Sequence, residues 1–214
     1  MAQPVACTPA GASGELIAPT TVTRVMEAVQ GLITLKDFLD EAEVERVEQV
    51  LVECAKEADF KINEQEYGRG NYPSDAECDR VVGRNAKGDS VTRAMQLGTM
   101  KHAAAFACIE RQLGSQFSEH LTREPRYGRN PSTGEYALSD SWGESLVPDV
   151  VLHLVRDANK IRFLYDFLFP CTSNSKSDPL GYRRKTLNRK LDKYKDLPGE
   201  KRRALVTPQL GISR

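Results

Sequence analysis

The chain has 214 residues, with 30 Lys and Arg against 30 Asp and Glu, a formal charge of zero and 40% hydrophobic residues. That length allows one large or two small domains with a sizeable core. The hydrophobic share excludes wholesale disorder, the balanced charge excludes a uniformly basic nucleic-acid coat, and no apolar run reaches the roughly 20 residues needed to span a bilayer.

In chain order, residues 1–20 are rich in small residues and lack the basic start and long apolar stretch of an export signal, so they read as a flexible tail or linker. A helical region is expected over 21–62. Within it Val22, Val25, Met26 and Val29 suggest a short helix that Gly31 ends. Asp40 and Glu43 have the spacing of a capping box, in which each side chain accepts from the other's amide. Val44, Val47, Val50, Leu51, Cys54, Ala55 and Ala58 then recur at helical spacing and predict one long helix packed on a sheet.

A third region, 63–214, carries the rest of the fold. Residues 63–89 are dominated by Gly, Pro, Asn and Asp and read as a long irregular stretch that frames a site. A second helix is expected over 91–113, with Met95, Met100, Ala103, Ala104, Ala107, Cys108 and Leu113 on one broad face. Strands are expected at 121–128, 146–155 and 160–169, the last two joined by the polar turn RDANK as an antiparallel hairpin. A helix near 183–196 and a short strand at 204–207 close the chain. This order predicts an α/β sandwich, a central mixed sheet flanked by helices.

Charge is uneven along this frame. Residues 27–66 hold 12 acids and 4 bases, whereas residues 176–214 hold 4 acids and 12 bases. The basic end either meets phosphates while the acidic end stays clear of them, or the two ends face each other. The five cysteines, 7, 54, 78, 108 and 171, form no CxxC pair and no regular secreted framework, so reduced thiols are expected.

The most informative segment is SLVPDVVLHLVRDANKIRFLYDFLFPC, residues 145–171. With a side-chain period of two, Arg162, Leu164, Asp166 and Leu168 share one face of the second strand, and Phe163, Tyr165, Phe167 and Phe169 share the other. Asp149 lies on the neighbouring strand, in reach of Asp166. Two convergent carboxylates repel one another and favour a cation, most naturally Mg2+ or Mn2+ with retained waters. Phosphodiester hydrolysis needs such an ion to polarise a phosphate oxygen and orient water. A lysine beside the second carboxylate would add positive charge, but Leu168 stands there and can supply neither charge nor proton.

Pro148 and Asp149, followed by Asp166, Phe167 and position 168, resemble the motif of the PD-(D/E)XK nuclease superfamily. The wider context, LGTMKHAAA, REPRY, SLVPDVV, YDFLFPC and VTPQLG, is similar to restriction-endonuclease-like (Tox-REase) toxin domains of bacterial polymorphic toxins and type VI secretion effectors, over about residues 65–212. The resemblance implies a restriction-endonuclease-like sandwich and a metal-dependent DNase. Such a protein is made in a bacterial cytoplasm, leaves without a cleavable signal peptide through a secretion apparatus or with a chaperone, and acts in the cytoplasm of a competitor. A cognate immunity protein protects the producer. Leu168 departs from the pattern and implies a chain that cleaves poorly, either a deliberately disabled Lys-to-Leu variant or a natural loss. A nuclease-fold binding module without chemistry and a repair or restriction nuclease are the alternatives.

Other residues are candidates for supporting roles. His102 on the LGTMKHAAA helix is expected to approach the metal or position a phosphate. Glu110, eight residues on, is its rival on that helix face, and Glu124, at the start of REPRY, is a candidate third carboxylate. In YRRKTLNRKLDKYKD, Leu187, Leu191 and Tyr194 share a core-facing stripe, and Arg183, Arg184, Arg189, Lys190 and Lys193 remain for phosphates. Tyr194 also resembles the tyrosine that related nucleases place on this helix, which adds it to these candidates for nucleic-acid contact. Cys171 is expected to be a packing thiol, and the spacing of Tyr67, Tyr72, Tyr127 and Tyr136 does not choose between stacking and packing.

Overall fold

The computed structural model describes residues 36–139 and 144–214. The tail, the short helix expected over 22–29 and Cys7 therefore lie outside the described residues. From Asp37 to Arg214 the chain forms one unit.

Helix α1 spans Glu41–Tyr67 and starts at the predicted capping box: the Asp40 side chain accepts from the Glu43 amide and Glu43 reaches back to the Asp40 amide, each at 2.9 Å. Its stripe of Val44, Val47, Leu51, Cys54, Ala55 and Ala58 is buried. The expected region boundary at 62/63 falls inside this helix. The end of α1, helix α2 (Asp75–Asp79) and strand β1 (Val81–Arg84) lie in the stretch expected to be irregular, and β2 (Ser90–Thr92), the hairpin partner of β1, follows it. Thr92 then caps α3 (Arg93–Leu113), accepting from the Met95 amide.

The predicted strand 121–128 is broken. It forms β3 (Leu121–Arg123) and β4 (Tyr127–Arg129), which lie in different sheets. The break falls at Glu124, whose φ of 45° leaves the strand region immediately before Pro125. Strands β5 (Tyr136–Leu138) and β6 (Ser145–Leu146) flank β4 in a small three-stranded sheet.

The predicted hairpin is present as β7 (Val150–Leu154) and β8 (Asp157–Phe167), antiparallel. Its turn is at residues 155–156, with Arg156 at φ 57°, so Asp157 to Lys160 belong to β8 and not to the connection. A short helix α4 (Ser173–Ser177), a 3-10 turn (Tyr182–Arg184), helix α5 (Lys185–Asp192), β9 (Arg202–Thr207) and β10 (Gly211–Ser213) complete the chain. The helix expected over 183–196 is shorter because Arg183 and Arg184 both have left-handed φ, 52° and 58°, and cannot continue a right-handed helix.

The main sheet has the order β10-β9-β8-β7-β3. It is mixed, since β9 runs parallel to β8 while the other pairs are antiparallel. Helices α1 and α3 cover one face, against Val150, Leu152, Tyr165, Phe167, Ala204 and Val206. On the other face Leu187 and Leu191 of α5 pack on Leu205, and Tyr194 and Leu197 pack on Val151, Ile161 and Leu164. The aromatic face of β8 is buried as the alternation predicts, and its second face is covered too. Each fully buried Leu, Val or Phe contributes about 1.5–3 kcal/mol through area removed from water.

The cysteines correct the sequence reading. Cys54 joins Cys108, tying α1 to α3, and Cys78 joins Cys171, tying α2 to the segment after β8. The partners are 54 and 93 residues apart, so no local motif announces them. Cys171 is thus a bridge and not a packing thiol. Among the described residues no helix is long and apolar enough to cross a membrane.

Candidate metal centre

The hairpin register sets the site. Val150 pairs with Tyr165 and Val151 with Leu164, so continuing one position places Asp149 opposite Asp166. Directly opposed residues of an antiparallel pair share a face, with Cβ atoms about 4.5–5.5 Å apart. Asp149 stands just outside β7, behind Pro148, and its Oδ2 accepts the Phe167 amide at 2.5 Å. Its other oxygen, Oδ1, lies 3.3 Å from Nδ1 of His102. The two carboxylates are close enough to interact: burial first, and then the charge of Asp149, hold the Asp166 carboxyl above the ordinary carboxylate range.

Asp166 is held from α5 and the turn that follows it. The Tyr194 hydroxyl donates to Asp166 Oδ1 at 2.8 Å and faces the Val147 carbonyl at 3.1 Å. Burial, followed by the Asp166 charge, raises this phenol well above its usual pKa. The Nζ atoms of Lys193 and Lys190 lie 3.4 and 4.0 Å from Asp166 Oδ2. Their charges draw the Asp166 carboxyl back down, Lys193 more than Lys190. The positive charge expected beside the second carboxylate on β8 therefore arrives from the helix side. Leu168 packs with Leu180 against Leu187, Leu191 and Leu205.

His102 reaches Asp149 because of its place on α3. Leu97, Lys101, Ala105, Cys108 and Ile109 form the buried stripe of that helix, and His102 is one residue off it. Its ring meets Phe106, Phe167 and Phe169 edge-on, with centroids 6.1, 6.1 and 5.2 Å away. The side chains of His102, Lys190 and Lys193 are 31%, 33% and 43% exposed against 13% and 6% for Asp149 and Asp166, so the pair meets solvent through its flanking partners.

Glu110, the Glu124 side chain and the arginines are not brought to the pair. Glu110 forms an ion pair with Arg123 at 2.8 Å and lines a separate cavity of about 410 Å³ with Glu124. Glu124 touches Asp149 only through its backbone amide, which donates to the Asp149 carbonyl at 2.9 Å, while its side chain is exposed. Tyr194 is fully buried, which corrects its assignment to nucleic-acid contact: its ring cannot stack on a base. Arg183 and Arg189 are exposed, Arg183 lying over the Tyr182 ring at 5.2 Å. Arg184 belongs to another cavity on the far flank of α5. Tyr127 is buried and donates to the Ala158 carbonyl, so it is a packing residue.

The sequence reading missed Tyr194 as the partner of Asp166 and the two lysines as its counter-charges. Its own stripe of Leu187, Leu191 and Tyr194 carried the signal, because that stripe sends Tyr194 inward and leaves Lys190 and Lys193 at its border.

Both oxygens of Asp149 and Oδ1 of Asp166 each have one protein partner, and Asp166 Oδ2 has two lysines at 3.4 and 4.0 Å, so lone-pair directions remain chiefly on Asp149 and on Asp166 Oδ1. Among the described residues no group of three or more His, Cys, Asp or Glu side chains is placed to hold a metal. Zinc, which takes three or four protein ligands, therefore fits poorly. Mg2+ or Mn2+ fits, since Mg2+ is commonly held through one or two carboxylates and keeps several waters. No family model, curated protein or solved structure matches the chain.

Proposed function

We propose that the chain is a metal-dependent nuclease in which Asp149 and Asp166 hold Mg2+ or Mn2+ and Lys193, with Lys190, takes the role of the lysine missing at 168. The observation that carries this reading is the opposed carboxylate pair with ammonium groups against its more buried member. Bound there, a divalent ion would polarise a phosphate oxygen and supply a water of lowered pKa. The residues of the chain do the rest. The Phe167 amide and His102 fix the Asp149 carboxylate, and the Tyr194 hydroxyl fixes Asp166. Lys193 offsets the charge that develops on the phosphate. With His102 Nδ1 turned to Asp149, Nε2 is the ring atom left to carry a proton.

The substrate and setting follow the motif resemblance: DNA, in a competitor bacterium, with an immunity protein guarding the producer. The two disulfides point instead to passage through an oxidising compartment, which delivery from one cytoplasm to another does not by itself provide. Leu168 supports a second reading, a nuclease-fold chain whose hydrolysis is lost and whose remaining role is binding, since the residue is part of an apolar cluster.

Nicking of supercoiled plasmid with Mg2+, Mn2+ or chelator separates these readings. The first expects divalent-dependent nicking that falls at least about 100-fold in Lys193→Met, the scale of losing one positioned electrostatic group. Asp149→Asn and Asp166→Asn are expected to be silent. A wild-type chain without activity that gains it on Leu168→Lys supports the disabled-enzyme reading. Silence of both the wild type and the Leu168→Lys variant leaves only the binding module.

A further inference from the structure

A second cluster of charge lies on the other flank of α5. Residues 184, 188, 191 and 192 look to one side of this helix, and Lys190 and Lys193 look away from them. Between that side and β9 is a cavity of about 330 Å³. Four cations line it, Arg184, Lys201, Arg203 and Arg214, against a single lining carboxylate, Asp192. Leu187 and Leu191 form an apolar floor, which strengthens electrostatic attraction above it.

The existing partners do not neutralise this charge. Lys201 Nζ donates to the backbone carbonyls of Lys195 and Leu197, at 3.0 and 2.5 Å. Among the described residues no carboxylate lies within 4.0 Å of it. Burial, and then the charge of Arg203, depress its pKa, and the more distant Asp196 carboxylate offsets this only in part. Arg203 spends one N–H on the Leu191 carbonyl at 2.6 Å and stands 3.7 Å from Asp192, a side chain that is 68% exposed. Arg184 donates to the Arg214 carbonyl, and Arg214 is paired with Glu48. The uncompensated donors are thus the Lys201 ammonium and the rest of the Arg203 and Arg184 guanidinium groups, with the Asn188 amide beside them.

We propose that this cavity is an anion site for a phosphate group, formed by Arg203, Lys201 and Arg184 and separate from the carboxylate pair. A planar guanidinium presents paired N–H groups that match phosphate oxygens, and an ammonium beside it adds a compact charge. The volume is at the small end of the roughly 300–1,000 Å³ of ligand sites, which suits a phosphate or pyrophosphate group and excludes a bulky one. The group is either free or one of the phosphates of a polynucleotide.

The test is calorimetric titration of the full chain with pyrophosphate in chelator, where the carboxylate pair has no ion and takes no part. Saturable binding is expected, weakened at least tenfold by Arg203→Gln and about threefold by the exposed Arg184→Gln, and unchanged by Lys87→Met, an exposed cation in the turn between β1 and β2. Arg203→Lys, which keeps the charge and the packed stem, is expected to fall between wild type and Arg203→Gln. Competition by a short single-stranded oligonucleotide identifies the group as part of a polynucleotide, and pyrophosphate binding without competition identifies a small phosphate compound. Absent binding, or equal binding by wild type, Arg203→Gln and Arg184→Gln, overturns the site. Because no divalent ion is present, that failure says nothing against the nuclease reading, and a silent nicking assay says nothing against this cavity.

Discussion

Lys101 and His102 are neighbours on α3, yet they belong to two different kinds of polar structure. Lys101 is buried and meets Asp59 of α1 at 2.7 Å, an ion pair between two helices whose charges Lys176 also feels. His102 turns to a carboxylate that faces a second carboxylate, and the lysines around that pair stand 3.4 and 4.0 Å off and part in solvent. The first arrangement is complete within the chain. The second retains a repulsion that the chain's own groups reduce without removing, which is the condition under which a cation gains most by binding. The contrast separates a buried charge that holds helices together from one that is open to chemistry.

The largest effect on stability is expected at the closed pair. Lys101→Met leaves Asp59 as a buried carboxylate without its partner and is expected to cost about 3–5 kcal/mol. Replacing both residues, Lys101→Met with Asp59→Leu, is expected to recover most of that loss, because packed apolar groups of similar volume substitute for a buried pair. Denaturant melts of the single and double variants measure this. Equal melts for wild type and Lys101→Met would remove Lys101 from the structural side of the contrast.

A smaller effect is expected from the bridges that brace both regions. Cys54→Ser with Cys108→Ser releases α1 from α3, and the loss is expected in the range of about 2–4 kcal/mol typical of a native disulfide. Dithiothreitol on the wild type is expected to lower the melting temperature in the same direction. A melting temperature indifferent to reductant would mean that the cysteines act as the reduced thiols suggested by the sequence.

How much of this was legible beforehand depends on how far each contact reaches along the chain. The Asp40 and Glu43 capping box, the long stripe of α1 and the β7–β8 hairpin are set by residues a few positions apart; the first two are found where the pattern puts them, and the hairpin is present with its turn at 155–156. The carboxylate pair was legible for the same reason, since alternation and a hairpin fix which residues face each other. Tyr194 lies 28 residues from Asp166 and the disulfides join residues 54 and 93 apart, so only packing of α5, α1 and α3 on the sheet reveals them. The broken strand at Glu124 and the shortened α5 were missed because apolar and basic patterning is blind to one or two residues of left-handed backbone.

The smallest effect is the most specific to the open site. Burial and Asp149 raise the Asp166 carboxyl above its unfolded value of about 3.9, so the folded chain binds this proton more tightly than the unfolded one. The stabilisation from the protonated form is full below the unfolded pKa and is lost as pH rises through the folded one. Above that window ionised Asp166 burdens the fold. Asp166→Asn retains an oxygen for the Tyr194 hydroxyl and removes the charge, so in chelator it is expected to stabilise the chain at neutral pH, by about 0.5–2 kcal/mol. The gain should shrink as pH falls through the folded pKa, below which wild type and variant both carry a neutral side chain. Added Mg2+ should then raise the wild-type melting temperature and leave the variant unmoved, because an ion that binds only the folded carboxylate pair stabilises by mass action. A variant less stable than wild type across this range, with no Mg2+ response in either, would place Asp166 with Asp59 among the structural carboxylates and remove the basis for reading the pair as a metal centre.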